Sequence, residues 1–300
     1  MTLRSRLDQV RRRIEERVDQ TWALGRKRLA GPREVAPFDG DVRFALVTVN
    51  FSTTRFLKMM LLTLSEQSAL TKLRSVVIVD NASRDGGATF ARQLAARCAR
   101  VLVAEQRLVL THARGMRAGL RALEATERSV SDASRSNVAL FCDTDVIFRR
   151  PDTLDALSKV FTSPRIAAAG ELRRTLYPYP EAQASFLAVR RDCYARPDVA
   201  PWVNHGAPAY WLQRSLWKAG LEISDFPSNG GGYILHRGRA GVAAAATHYP
   251  RSSFASIDST DPHFMGLPGG ARIWAECEQR WAHLLDDDAA LLEHVATRLT

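Results

Sequence analysis

Short apolar runs recur along this chain, each closed by polar residues and followed by a stretch with helical spacing. Residues 43–50 are β-rich and apolar, and Asn50-Phe51-Ser52-Thr53 then supplies a turn and a helix N-cap before the helical stretch 56–64. A second apolar run, 74–79, stops at Asp80-Asn81-Ala82-Ser83-Arg84-Asp85-Gly86-Gly87, and a helix over 88–99 and a short strand over 101–103 follow. Strand, helix and strand, with polar residues gathered where each strand ends, is the βαβ unit of a parallel sheet. The run 138–142 reads as a buried strand. Pro151-Asp152 opens a helix to about residue 161, 166–170 and 184–189 read as two further strands, and an aromatic helix runs into Lys218-Ala219-Gly220.

The two ends of the chain follow other patterns. Leu3, Leu7, Val10, Ile14 and Val18 recur at steps of four and three with Arg4, Arg6, Arg11, Arg12, Arg13 and Arg17 between them, which predicts an amphipathic basic helix. Such a helix can lie on an anionic membrane, pair with a copy of itself in a homodimer, or pack on the domain body. Gly31-Pro32 and Pro37-Phe38-Asp39-Gly40 punctuate a linker. Residues 242–270, with His248-Tyr249-Pro250, Asp261-Pro262-His263 and Pro268-Gly269-Gly270, read as an irregular segment able to close over a ligand. Ile273, Trp274, Cys277, Trp281, Leu284 and Leu285 then form a helix seam, and a last helix reaches Leu299 to dock on the body or on a second subunit. The expected organisation is an N-terminal basic helix and linker (1–40), two halves of one α/β domain (41–150 and 151–240), and a loop with a C-terminal helical extension (241–300).

Composition narrows the function classes. With 300 residues, 46% hydrophobic and 25% charged, the chain can bury a large core. No apolar run approaches the ~18 residues that span a bilayer, and the arginine-rich N-terminus lacks the apolar centre of a secretion signal. The expectation is a cytoplasmic protein, peripheral to the inner face of the membrane if the basic helix binds there. Cys98, Cys142, Cys193 and Cys277 are widely spaced and suggest neither a zinc site nor a disulfide framework. The net charge of +10 invites a nucleic-acid reading, but the arginines are scattered through helical stretches without a basic-aromatic stacking motif. Anionic lipid headgroups or phosphorylated donors suit that charge better.

The chemistry concentrates at Asp143 and Asp145, which follow the strand 138–142. Open α/β sheets place ligands at the C-terminal ends of their strands, and two carboxylates one residue apart can share a hard divalent cation. Leu46-Val47-Thr48-Val49-Asn50, then Val76-Val77-Ile78-Val79-Asp80-Asn81-Ala82-Ser83-Arg84-Asp85-Gly86, then Phe141-Cys142-Asp143-Thr144-Asp145 resemble the family 2 type of nucleotide-sugar-dependent glycosyltransferases. The resemblance covers about residues 42–150 strongly and thins towards 240. It implies the GT-A fold, a Rossmann-like, mostly parallel sheet flanked by helices, whose Asp-x-Asp motif carries Mn2+ or Mg2+. It further implies that Thr48 and Asn50 lie near the nucleotide, that Asp80 with Asn81 meets the base or ribose, and that Asp143 and Asp145 face ribose and metal. The segment 110–123 resembles the family's helix opening towards the nucleotide, so that Arg114 or Arg117 would reach the diphosphate or base. Near 236 the family commonly has an apolar stretch ending in a histidine that completes the metal's coordination; His236 matches first and His248 second. Arg237 and Arg239 are candidates to clamp phosphate oxygens, and Tyr177-Pro178-Tyr179-Pro180 either lines a sugar or acceptor groove or covers the core.

The chain also departs from that pattern. Many inverting members carry Glu-Asp before a helix as the acceptor-side base, whereas Pro208 and Ala209 stand at those places here. His205 is the nearest titratable group and the candidate base, with Asp198 and Asp225 behind it. The resulting expectation is a metal-dependent, hexosyltransferase-like enzyme, inverting by resemblance, that moves a sugar from a nucleotide-diphospho-sugar to a glycan, lipid-linked or small-molecule acceptor. The rivals are a nucleotidyltransferase of similar architecture and a non-catalytic, basic, membrane-associated binding protein.

Overall fold

The computed structural model describes residues 3–29, 35–173, 180–203, 209–248 and 260–300. In chain order its elements are α1 (Leu3–Leu29), β1 (Phe44–Asn50), α2 (Thr54–Ser65), β2 (Leu73–Asn81), α3 (Gly87–Arg97), β3 (Val101–Gln106), α4 (His112–Glu127) and β4 (Val138–Cys142). There follow β5 (Val146–Phe148), α5 (Thr153–Ser158), β6 (Ile166–Arg173), β7 (Glu181–Arg190), α6 (Arg191–Ala195), α7 (Tyr210–Lys218), β8 (Glu222–Asp225), β9 (Ile234–His236), α8 (Ala240–His248), α9 (Gly270–Leu285) and α10 (Asp288–Leu299).

Seven strands form one sheet in the order β3-β2-β1-β4-β7-β6-β8, and β5 pairs with β9 in a small second sheet. β3, β2, β1 and β4 run parallel, with Asn50 opposite Asp80 and Val47 opposite Phe141, so the C-terminal ends of β1, β2 and β4 meet at one edge. β7 runs antiparallel to both its neighbours, and β8 is parallel to β6. The α/β architecture with a mostly parallel sheet flanked by helices is therefore as the pattern of apolar runs predicts.

Every residue of β1 is buried, because helices cover both faces of the sheet. Phe44 and Leu46 face a core built with α2, α3, α9 and α10. Ala45, Val47 and Val49 face the opposite core, which contains Met116 and Leu120 of α4, Leu212 and Leu216 of α7, and Trp202. Alternate residues of one strand thus serve two cores, which is why the strand reads as a continuous apolar run. α4 approaches closely: a Cβ on Gly119 would lie 2.7 Å from a methyl of Val47 and 2.9 Å from one of Val79.

Several sequence-based boundaries change. Residues 240–248 form a helix rather than irregular chain, since a run of alanines satisfies its own backbone there; residues 249–259 lie outside the described set. The short strands β5, β8 and β9 carry three or four residues each, too few for a period to register. α10 docks on the body of its own chain, with Leu291, Val295 and Leu299 fully buried against α2 and α3. All four cysteines are free thiols.

Candidate functional site

β4 ends at Cys142, and the chain turns through Asp143, Thr144 and Asp145 before β5 begins. The Asp143 amide donates to the Ser185 carbonyl of β7 at 2.9 Å, and the Thr144 and Thr53 hydroxyls meet at 2.9 Å, pinning the turn to its neighbours. β5 pairs with β9 so that Val146 stands opposite His236. That pairing brings a histidine 91 positions down the chain onto the acidic turn. His236 Nε2 lies 3.3 Å from Asp145 Oδ1 and 3.7 Å from Asp143 Oδ2, and ligand atoms of all three residues fall within 4.8 Å of one another.

The surroundings orient these groups. The backbone amide of His236 donates to Asn229 Oδ1 at 2.9 Å, and its Nδ1 faces the Met265 thioether at 3.4 Å. With a proton on Nδ1, Nε2 turns its lone pair towards the carboxylates. Asp145 Oδ2 accepts from the Ala240 amide at 3.2 Å, the first amide of α8, where the positive end of the helix favours an anion. Gly238 and Arg239, both with positive φ (79° and 67°), deliver the chain to that helix start.

Charge separates the two carboxyls. Burial raises the Asp143 carboxyl above its ordinary range against the pull of His112 and His236, and Asp145 adds to the rise. Burial also works to raise Asp145, but His236, the Ala240 amide and Arg237 together hold it below the usual range. For His236, burial opposes the charged form, yet Asp145 and Asp143 outweigh it and hold the imidazole above its ordinary value. Asp143 Oδ1 is buried without a hydrogen-bond partner among the described residues, 3.6 Å from His112 Nε2.

An unpartnered buried carboxylate oxygen beside a second carboxylate and an imidazole lone pair is a donor set that fits a divalent cation. Ligands about 2.1 Å from such an ion stand about 3 Å apart when adjacent, so modest side-chain rotation suffices. These residues form one wall of a cavity of about 290 Å³, whose other walls include Val49, Phe51 and Thr53 after β1, Asn81 at the end of β2, and Arg239.

The remaining sequence candidates divide. Thr48 is fully buried in the β1–β2 ladder, its hydroxyl without a hydrogen-bond partner among the described residues, and it does not line the cavity. Asn50 is spent inside the fold: its Nδ2 donates to Thr54, Asp80 and Ser83, and its Oδ1 accepts from Thr53. Asp80 is 2% exposed and accepts from the Ser83 amide and Asn50. Gly87 is required here, because a Cβ would come within 2.1 Å of Asn50 Nδ2 and 2.9 Å of Asp80 Oδ2. Asn81 lines the cavity, with both ends of its amide held by the Leu110 backbone at 2.7 Å. Asn50, Asp80 and Asn81 thus spend their side chains on hydrogen bonds within the protein, and of the four positions Asn81 is the one that lines the cavity.

Arg114 and Arg117 depart from their expected role. Both pair with Asp19 of α1, at 3.0 and 2.7 Å, so the opening of α4 anchors the N-terminal helix instead of facing the acids. The buried carboxylate of Asp19 draws them away. His248 is absent from the acidic cluster, at the far end of α8, where its carbonyl accepts from Arg84. Arg239 lines the cavity, whereas Arg237 stacks over Phe56 at 4.8 Å. Asp198 pairs with Arg196 and Asp225 accepts from the Leu172 amide, so neither faces the cavity. His205 and residues 177–179 lie outside the described residues. Sequence reasoning missed His112 as a neighbour of Asp143 and Ala240 as the amide that holds Asp145; the helix N-cap at Thr111 was the available signal for the first.

No family model matches the chain, and no curated protein matches it in sequence. Solved structures do. A mannosyltransferase from Pyrobaculum calidifontis in complex with GDP-Man and Mn2+ is 19% identical, with 97% of this chain and 85% of that chain covered, at a TM-score of 0.47. S. aureus TarS is 10% identical over 86% of this chain and 90% of that chain, at 0.48. Glucosyl-3-phosphoglycerate synthase from Mycobacterium tuberculosis, in complex with phosphoglyceric acid, is 14% identical over 79% and 86%, at 0.46. Likeness of this degree leaves the chemistry of the site to its own side chains.

Proposed function

We propose that the chain is a divalent-cation-dependent glycosyltransferase that moves a sugar from a nucleotide-diphospho-sugar to an acceptor hydroxyl. The observation that carries this is the convergence of Asp143, Asp145 and His236 on the wall of a cavity shared with the ends of β1 and β2. The ordered motifs ending in Asp143-Thr144-Asp145 and their resemblance to family 2 glycosyltransferases support it.

Asp143, Asp145 and His236 would hold Mn2+ or Mg2+, which when bound neutralises charge on the departing diphosphate. Arg239, which lines the same cavity, adds a fixed positive charge near phosphate oxygens. In the reaction the acceptor oxygen forms a bond to the anomeric carbon, the bond from that carbon to the phosphate oxygen breaks, and nucleoside diphosphate leaves. The acceptor proton passes to a base. His205 is the group assigned to that role, as the residue able to take up a proton near neutrality that is nearest in the chain to Pro208 and Ala209, which stand where many inverting family members carry Glu-Asp. Inversion at the anomeric carbon is part of this reading by resemblance to the family.

The test is a thermal-shift and turnover screen of nucleotide sugars with Mn2+ or Mg2+, repeated on Asp145→Asn. The expected result is a cation-dependent shift and release of nucleoside diphosphate, both lost in the variant. Release of pyrophosphate would identify a nucleotidyltransferase instead, and a retained anomeric configuration would remove His205 from its role.

A further inference from the structure

α1 presents an apolar stripe to solvent. Val10, Ile14, Val18 and Trp22 follow at steps of four and are between 50% and 61% exposed, and Leu29 at the end of the helix is 89% exposed. A protein that folds around two large cores has little reason to leave five such residues outside them. The orientation is enforced from the other face of the helix. Asp19, Ala23 and Lys27 are buried; Asp19 pairs with Arg114 and Arg117, and the Lys27 ammonium donates to the carbonyls of Tyr194 and Val199.

The stripe borders a basic cavity. Between α1 and α4 lies a space of about 930 Å³ with Val18, Trp22 and Leu29 on its rim. Arg26, Lys27, Arg114, Arg117 and Arg121 line it, with Asp19 as the acid among the described lining residues. The Arg26 guanidinium stands 5.0 Å over the Trp22 ring. Next to it, the loop between β3 and α4 exposes Leu108 (76%) and Val109, and Leu110 lines both this cavity and the acidic one.

We propose that this face docks on the surface of an anionic phospholipid bilayer. The stripe of α1 and Leu108-Val109 enter the boundary between headgroups and acyl chains, with Trp22 at the level where an amphipathic ring is most stable. Arg26, exposed on the cavity rim beside Trp22, meets the lipid phosphates. Charge decides between a membrane and a second copy of the chain. α1 carries eight arginines and one lysine against four acids, so pairing two such faces would oppose like charges, whereas an anionic surface neutralises them. No described helix is long and apolar enough to cross a membrane, which fits a helix lying in the interface.

The test is flotation of the full chain with vesicles of phosphatidylcholine alone and of phosphatidylcholine mixed with phosphatidylglycerol, at low and high salt. A variant carrying Val18→Ser, Trp22→Ser and Leu29→Ser changes exposed residues, and its thermal transition reports whether the fold is kept. The expected result is binding to the anionic vesicles only, weakened by salt, and reduced about tenfold or more in the variant. Equal binding to neutral vesicles, or anionic binding unchanged in a folded variant, overturns the proposal. So does a dimer in sedimentation velocity that the variant dissolves while neither protein floats. The readout is binding alone, so failure of the glycosyltransferase reading leaves this result standing.

Discussion

Asp143 and Asp145 are two residues apart, and their carboxyls shift in opposite directions. Asp145 sits between an imidazole and the first amide of α8, which stabilise its charge, while Asp143 keeps one buried oxygen without a donor. Asp145→Asn should therefore reduce Mn2+ affinity about 100-fold or more, read by calorimetric titration, since it removes a charged ligand from a three-residue set. The His236 shift sets a pH dependence. A proton and a cation compete for the same Nε2, so apparent Mn2+ affinity should fall about tenfold per pH unit below the raised value of His236 and level off above it. In the absence of metal the sign reverses for stability. A raised folded-state value means that the charged imidazole stabilises the fold below its unfolded value, and that this contribution is lost as pH rises through the folded one. Denaturation midpoints of the metal-free protein on either side of that range check the second statement, and His236→Asn should flatten both profiles. Asp143, Asp145, Arg173 and the His263 ring, 5.7 Å away, surround the same imidazole, and their charges set where the transition falls.

The packing of whole elements places these side chains. α4 reaches the sheet because Gly119 lets its backbone settle against Val47 and Val79, whose β-branched side chains have little freedom to move. Gly119→Ala should cost about 1–3 kcal/mol in urea denaturation, in spite of alanine's better helix propensity. At its other end α4 carries Glu127, buried in a charge pair with Arg191 and accepting from the Ser136 amide and hydroxyl. Removing one partner leaves the other charge stranded, so Glu127→Ala should cost about 3–5 kcal/mol, more than the methyl clash at Gly119. Most of the elements that build this layer were readable from the chain, because runs such as 43–50 and 138–142 are long enough to display a period. β5 and β9 were not, since three residues carry no period and their pairing depends on where distant segments meet.

At the level of the whole molecule, α1 is joined to the body by a few buried polar contacts, while its outward face is apolar and exposed. Asp19→Ala removes the carboxylate that Arg114 and Arg117 share, and hydrogen exchange in residues 10–29 should rise while the sheet stays protected. Loss of protection throughout the sheet would show that α1 is part of the cooperative unit. The same interface accounts for the largest change from the sequence-based picture. By resemblance to the family, Arg114 or Arg117 was expected at the donor, and both pair instead with Asp19, about 95 positions earlier. The acidic cavity and the basic one meet at Leu110, so the reaction centre proposed here opens beside the surface that α1 would bring to a bilayer.

Burial and backbone preference are local properties, and the chain expresses them in its own periodicity. It thereby determined the alternation of strands and helices, the βαβ unit of a parallel sheet, and the placement of Asp143 and Asp145 at a strand's C-terminal edge. Hydrogen bonds and ion pairs depend on which distant residue arrives at the same place, and no period encodes that. Only the tertiary structure decided that Asn50 and Asp80 bond each other, that Asp19 claims the two arginines, and that β5 and β9 pair in the one register that brings His236 to the acids.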